Sequence, residues 1–186
     1  MLKHKNQRVG VFIDVQNMYY SARNLYGARA NFGKILEYAV GDRQLIRATS
    51  YVIKAEAPEE IKFFEALESQ GFELKMKDLQ VFAGGAKKGD WDIGIAIDAI
   101  SMAQKLDVAV LVTGDGDFVP LVQYLQFLGV RVEVISFGST TSAKLIEQAD
   151  DFNNLETEIS KFLIRSRILS TITGTRASSR ANSRSR

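Results

Sequence analysis

The stretch VAVLVTGDGDFVPLVQYLQFLGVRVEVI, residues 108–135, decides the fold. Its first five residues are apolar without a break, the pattern of a strand buried on both faces. A turn of Thr113, Gly114, Asp115 and Gly116 follows, then a helix with Phe118, Leu121, Val122, Leu125 and Leu128 on its inner face, stopped by Gly129. A second apolar strand occupies 130–135. Strand, helix and strand in this order make a crossover unit of a parallel sheet, which is right-handed in nearly all proteins.

Upstream, VGVFI at 9–13 is another short apolar run, ending at Asp14, and 44–53 and 72–76 have the alternation of strands. Residues 19–25 and 32–40 have helical spacing, and Pro58 opens a helix carrying Ile61, Phe64 and Leu67 that Gly71 stops. An extra short strand is expected at 79–82, then a glycine- and lysine-rich loop, AGGAKKG, at 83–89. The helix expected over 90–106 places Ile93, Ile97, Ile100 and Gln104 on one stripe, predicted to pack on the sheet. Further helices are expected at 141–149 and 159–168. This alternation predicts a single α/β domain with a Rossmann-like, mainly parallel sheet of about five strands flanked by helices. The chain divides into an N-terminal stub (1–7), the domain (8–155), a C-terminal helix (156–169) and a basic tail (170–186).

Charge is distributed unevenly between these parts. The net charge is +2, yet residues 1–160 carry 17 Lys and Arg against all 22 Asp and Glu, while 161–186 carry seven basic residues and no acid. A tail reading TRASSRANSRSR buries too little apolar area to offset its ordering entropy, so disorder is expected from about 170 onward. At 46% hydrophobic and 25% charged residues, with no apolar run near membrane-span length, the composition is that of a soluble globular protein. Absence of cysteine excludes disulfides and thiolate metal sites, and the lone histidine, His4, lies in the polar stub. A cytoplasmic setting is expected, without membrane contact.

Ligands of doubly wound sheets bind beyond the carboxyl ends of the strands, near the point where strand order reverses. Asp14 follows the first strand, Asp115 and Asp117 follow the strand at 108–112, and Asp90 and Asp92 open a helix that also carries Asp98. Each has an ordinary reading: Asp117 as a helix cap, Asp14 with Asn17 as a turn or cap pair, Asp115 as a Gly-Asp-Gly turn residue, Asp90 as a dipole partner. Asp98 lies among Ile95, Ile97, Ala99, Ile100 and Met102, and the positions three and four residues away hold Gly94, Ile95, Ser101 and Met102, none of them basic. A carboxylate so embedded costs several kcal/mol (roughly) unless it is paired or binds a cation. On this reading Asp98→Asn relieves repulsion and raises the melting temperature. Clustered carboxylates without histidine or cysteine suit Mg²⁺ or Mn²⁺ and phosphate-ester hydrolysis. Gly114-Asp115-Gly116 does not extend to a dinucleotide fingerprint, because Val119 stands at the third glycine position.

Three ordered motifs, VFIDVQN at 11–17, KKGDWDIGIAIDA at 87–99 and VLVTGDGDFVPLV at 110–122, resemble the NYN domain family of PIN-like nucleases, in its LabA-like branch. The similarity runs from about residue 8 to 155 and includes FGSTTSAKLIEQADDF at 137–152. It implies a PIN-like fold and a Mg²⁺- or Mn²⁺-dependent ribonuclease whose acidic positions fall on Asp14, Asp92, Asp98, Asp115 and Asp117, supported by Asn17. Asp14, Asp98 and Asp115 are the expected principal ligands, and RNA products bearing 5′-phosphates are expected. RNA is the implied partner, with Lys87, Lys88, Arg176, Arg180, Arg184 and Arg186 as candidate phosphate contacts. The resemblance leaves protein partners or a homo-oligomer open, and the rival reading is a regulatory module that binds RNA or protein without turnover.

Overall fold

In the computed structural model, which describes residues 3–54, 58–81 and 87–164, the expected crossover unit lies in the middle of the sheet. The elements run β1 (Arg8–Asp14), α1 (Val15–Tyr26), α2 (Phe32–Val40), β2 (Gln44–Lys54), α3 (Pro58–Ser69), β3 (Glu73–Asp78), α4 (Asp92–Met102), β4 (Val108–Val112), α5 (Val119–Phe127), β5 (Arg131–Ser136), α6 (Ala143–Gln148), β6 (Asp151–Asn154) and α7 (Ile159–Phe162). The strands lie in the order β3-β2-β1-β4-β5-β6, and every neighbouring pair is parallel. Strand order reverses between β1 and β4. That gap is where a doubly wound sheet opens a crevice beyond its carboxyl ends.

Both faces of the sheet are covered, which is why β1 and β4 read as continuous apolar runs. Val9, Val11 and Ile13 pack with Met18, Ile35, Phe72 and Phe162 on the face of α1, α2 and α3. Phe12, Leu111 and Val134 pack with Ile95, Phe118, Val122 and Leu125 on the face of α4, α5 and α6. Alternate residues of one strand thus feed two cores, each large aliphatic or aromatic side chain contributing roughly 1.5–3 kcal/mol of burial.

At the end of the sheet opposite the crevice, Arg43 and Glu133 form a buried bidentate pair, Nη1 to Oε1 at 2.9 Å and Nη2 to Oε2 at 3.0 Å. Burial alone would raise the Glu133 carboxyl, but the hydrogen bonds and charge of Arg43, with Lys3 and Arg131 behind it, hold it below the ordinary carboxylate range.

Five expectations change. The sheet has six strands where about five were expected, because β6, with the sequence DFNN, offers no apolar pattern. It forms at the sheet edge through backbone pairing from Glu133↔Asp151 to Ser136↔Asn154, aided by the Asp150 carboxylate, which accepts the Val132 N–H at 2.8 Å. The helix expected at 159–168 is a single turn in the described residues, closed by the two-residue strand Leu163–Ile164, which pairs antiparallel with Arg29–Ala30. Phe162 drives this, being 1% exposed in the core. Lys87–Lys88, expected in a loop, is extended and pairs antiparallel with Gln80–Val81.

The fourth change concerns α4. Its stripe of Ile93, Ile97 and Ile100 faces outward, at 72%, 58% and 38% exposure, while Ile95, Ala99 and Met102 are buried. The helix is apolar on almost every side, so periodicity permits two stripes. Tertiary contacts of Asp98 and Trp91 choose between them. Leu128, placed with the inner face of α5, is likewise exposed at 44%, because the helix has already ended at Phe127.

Candidate functional site

Asp14 ends β1 and caps α1: its Oδ1 accepts the Asn17 N–H at 3.0 Å. Asp115 repeats the device after β4, its Oδ1 accepting the Asp117 N–H at 2.9 Å. For Asp14 and Asp115 capping and clustering are therefore compatible, because a cap occupies one carboxylate oxygen and leaves its twin; Asp117, read from the sequence as a cap, is not one, the α5 cap position being Phe118 with no side-chain bond. Asn17 joins the two turns: its Oδ1 accepts the Gly114 N–H at 2.9 Å across the switch point. The glycines flanking Asp115 are demanded by close approach. A Cβ on Gly114 would sit 3.0 Å from Ser136 Oγ and from the Thr140 carbonyl oxygen, and one on Gly116 would sit 2.7 Å from Ser142 Oγ. The segment after β5 thus grips the turn from behind and presses Asp115 outward.

From the third element, α4, Asp92 completes the cluster. One carboxylate oxygen from each of Asp92, Asp115 and Asp117 lies within 4.8 Å of the others. Asp14 stands beside them, lining with Asp92 and Asp115 a cavity of about 310 Å³, at the lower end of the range for small-ligand sites. Burial pushes the Asp14 carboxyl up to about 6, with the charges of Asp92 and Asp115 adding to it against the Asn17 and Gln16 N–H bonds. Asp92 is raised as well, by burial first and then by Asp115, Asp90 and Asp117. Among the described residues, no lysine, arginine or histidine lines the cavity.

Asp98 is not brought into this group. Its carboxylate takes Lys75 Nζ at 2.7 Å and the Tyr51 hydroxyl at 2.7 Å. The expectation of an unpaired carboxylate fails because the partners come from β2 and β3, out of reach of any helical-turn rule. The Tyr51 hydroxyl is in turn raised, by burial first and then by its bond to Asp98. Asp90 lies at the cavity rim, where its backbone oxygen accepts Lys77 Nζ at 3.0 Å. Lys87 and Lys88 belong to the short ribbon described above. The expected contacts Arg176, Arg180, Arg184 and Arg186 lie outside the described residues, as does the expected disordered tail.

Sequence reasoning missed much of the wall. Gln16, Tyr20 and Asn24 line the cavity from α1, with Trp91 and Thr140 elsewhere on it. The one available signal was their spacing, positions i, i+4 and i+8 counted from Gln16, the second residue after the cap of α1. Trp91 is fixed by its indole N–H, which donates to the Val52 carbonyl at 2.9 Å, and by Lys77 Nζ 4.7 Å from its ring centroid.

An all-oxygen donor set with no nitrogen or sulfur ligand fits a hard divalent cation such as Mg²⁺ or Mn²⁺. Such a cation would also offset the mutual repulsion of these carboxylates.

Comparison with known proteins places the cavity in context. The NYN domain matches residues 8–156. The low amplitude and bright protein LabA of Synechococcus elongatus is 27% identical over 165 residues, which cover 83% of this chain and 88% of that protein. The crystal structure of VPA0982, a protein of unknown function from Vibrio parahaemolyticus, is similar with a TM-score of 0.79 and 33% identity, covering 88% of this chain and 100% of that one.

Proposed function

The chain belongs to the NYN domain family, and from that premise and the acidic cavity we propose that it is a metal-dependent ribonuclease, hydrolysing RNA phosphodiester bonds. The observation that carries this reading is the convergence of Asp92, Asp115 and Asp117 within 4.8 Å beside Asp14, on a wall that among the described residues holds no basic side chain. A phosphate cannot approach such a wall by direct ion pairing, so its recognition requires a cation between them.

Asp92, Asp115 and Asp117 would hold the ion, with Asp14 as the neighbouring carboxylate on the cavity wall. When bound, Mg²⁺ or Mn²⁺ polarises the phosphodiester and activates water for in-line attack. Asn17 keeps Asp14 and the Asp115 turn in register, a positioning task that fixes the distance between ligands from two different strands. Asp98, expected as a ligand, acts in this proposal as a positioning residue: through Lys75 and Tyr51 it sets the rotation of α4 and so aims Asp92. Lys87, Lys88 and the arginines of the tail are assigned to the RNA backbone, where cations gain by releasing counterions.

Cleavage of end-labelled single-stranded RNA, with and without Mn²⁺, tests the proposal. The parent is expected to cut only with the ion, leaving 5′-phosphate ends, and Asp115→Asn is expected to lose cleavage while remaining folded. Ion-dependent cleavage that survives in Asp115→Asn overturns the site. The kinship with LabA favours a second reading, a regulatory module binding RNA or protein. That reading predicts binding without turnover by the parent under the same conditions.

A further inference from the structure

Within α1, Gln16, Tyr20 and Asn24 stand four residues apart on one face, and all three line the cavity that holds the carboxylates. They form a row about 12 Å long leading away from Asp14, at the 1.5 Å rise of a helix. Three properties set the row apart from an ordinary solvated face. It carries no charge. Among the described residues, none of the three side chains forms a hydrogen bond within the protein. At its centre is an aromatic ring, Tyr20, 49% exposed and braced edge-on by Tyr19, with ring centroids 5.4 Å apart and planes at 77°.

The chemistry that fits is a base and its sugar. The cavity floor repels anions, so a phosphate reaches it only at the cation, whereas the row beside it offers a π face and two amides. An amide both donates and accepts, and so matches base edges and the 2′-hydroxyl without charge. Exposed rings on which bases stack are the common device for holding single strands. Duplex bases are already stacked on one another and cannot use such a ring.

We propose that Gln16, Tyr20 and Asn24 form a single-strand track, in which the nucleoside next to the reacting phosphate stacks on Tyr20 while the two amides hold its edge and the neighbouring sugar. The track rests on the ribonuclease reading for its purpose, but its binding chemistry requires neither ion nor turnover.

A test can separate the two. A short RNA oligomer with uncharged methylphosphonate linkages binds through bases and sugars alone and is titrated into the full chain with a chelator present. Trp91, the chain's one tryptophan, lines the same cavity, so its fluorescence reports occupancy. The oligomer is expected to bind at millimolar concentration or below, and its complementary duplex and abasic analogue are not. Tyr20→Ala is expected to weaken binding about tenfold or more, in line with alanine replacement of stacking rings. Tyr20→Phe is expected to stay within about twofold of the parent, since every base stacks on either ring. Alanine is the better helix former at this exposed position, so loss of fold does not confuse the result. Equal binding by Tyr20→Ala and the parent, equal binding of the abasic analogue, or no binding of the oligomer overturns the track. Failure of the parent to cleave natural RNA with Mn²⁺, with Tyr20-dependent binding intact, overturns the ribonuclease reading and leaves the track standing.

Discussion

Lys75 Nζ lies 2.7 Å from each oxygen of Asp98, joining β3 to the middle of α4. With the Tyr51 hydroxyl on the same carboxylate, this pair supplies the partner that no neighbour along the helix could. The pair is half-exposed on the lysine side, so its net worth is about 1 kcal/mol and not that of a buried ion pair. Asp98→Asn is therefore expected to lower the melting temperature by a few degrees, opposite to the rise expected for an unpaired carboxylate. It is also expected to keep most of any ion-induced gain, which calorimetry with and without Mn²⁺ checks.

Ion binding itself is expected to stabilise the fold. A cation that binds only the folded state, at about 100 times its dissociation constant, adds roughly 2.7 kcal/mol, or about 5–10 °C for a chain of this size. Asp115→Asn and Asp117→Asn are expected to lose most of that shift. A parent whose melting temperature ignores millimolar Mn²⁺ and Mg²⁺ would falsify the metal centre.

Asp14 gives a pH signature in chelated protein. Its carboxyl is pushed up to about 6 from an ordinary value of 3.8, so the folded state binds the proton more tightly than the unfolded chain. Stability contributed by this group accordingly falls as pH rises from about 4 to about 6 and stays low above that, a penalty on the order of 3 kcal/mol at neutral pH. Asn is as good a helix cap as Asp. Asp14→Asn is therefore expected to melt several degrees above the parent at pH 7 and level with it near pH 4, read from melting curves in EDTA.

The buried pair at the other end of the sheet has the opposite dependence. Glu133 is held below the ordinary carboxylate range, so its stabilising contribution is present above about pH 4.5 and is lost as pH falls through its lowered folded value. Glu133→Gln strands Arg43, 3% exposed, and is expected to cost about 3–5 kcal/mol at neutral pH. Urea unfolding at pH 7 measures the loss, which is expected to shrink in acid; RNA cleavage at a temperature where the variant is folded is expected to stay near the parent's.

Deleting residues 174–186 removes Arg176, Arg180, Arg184 and Arg186. If all four meet the RNA backbone, the slope of log affinity against log salt is expected to flatten by about 3, at roughly 0.7 per phosphate for single strands. Anisotropy across a salt series checks this, and superimposable lines for parent and truncation dismiss the arm. Cleavage at saturating RNA is expected to change little.

The sequence by itself determined the elements whose burial is written in local pattern. The unbroken apolar runs of β1 and β4, the Gly-Asp-Gly turn and the aspartates at strand ends were legible because a strand buried on both faces and a turn in tight quarters each restrict composition residue by residue. From these the parallel sheet and the placing of Asp14, Asp115 and Asp117 at one edge of it followed, whereas Asp92 was implied by the family resemblance, which also implied Asp98. Only the tertiary structure decided what depends on partners distant along the chain. It supplied Lys75 and Tyr51 to Asp98, turned α4 so that Ile95 and not Ile97 is buried, and recruited the segment DFNN as a sixth strand through backbone pairing with β5 and the Asp150 carboxylate. It also brought Gln16, Tyr20 and Asn24 to the wall of the acidic cavity. Periodicity reports that a helix has faces; which face meets the core is fixed by contacts between elements, and those have no signature within a single turn.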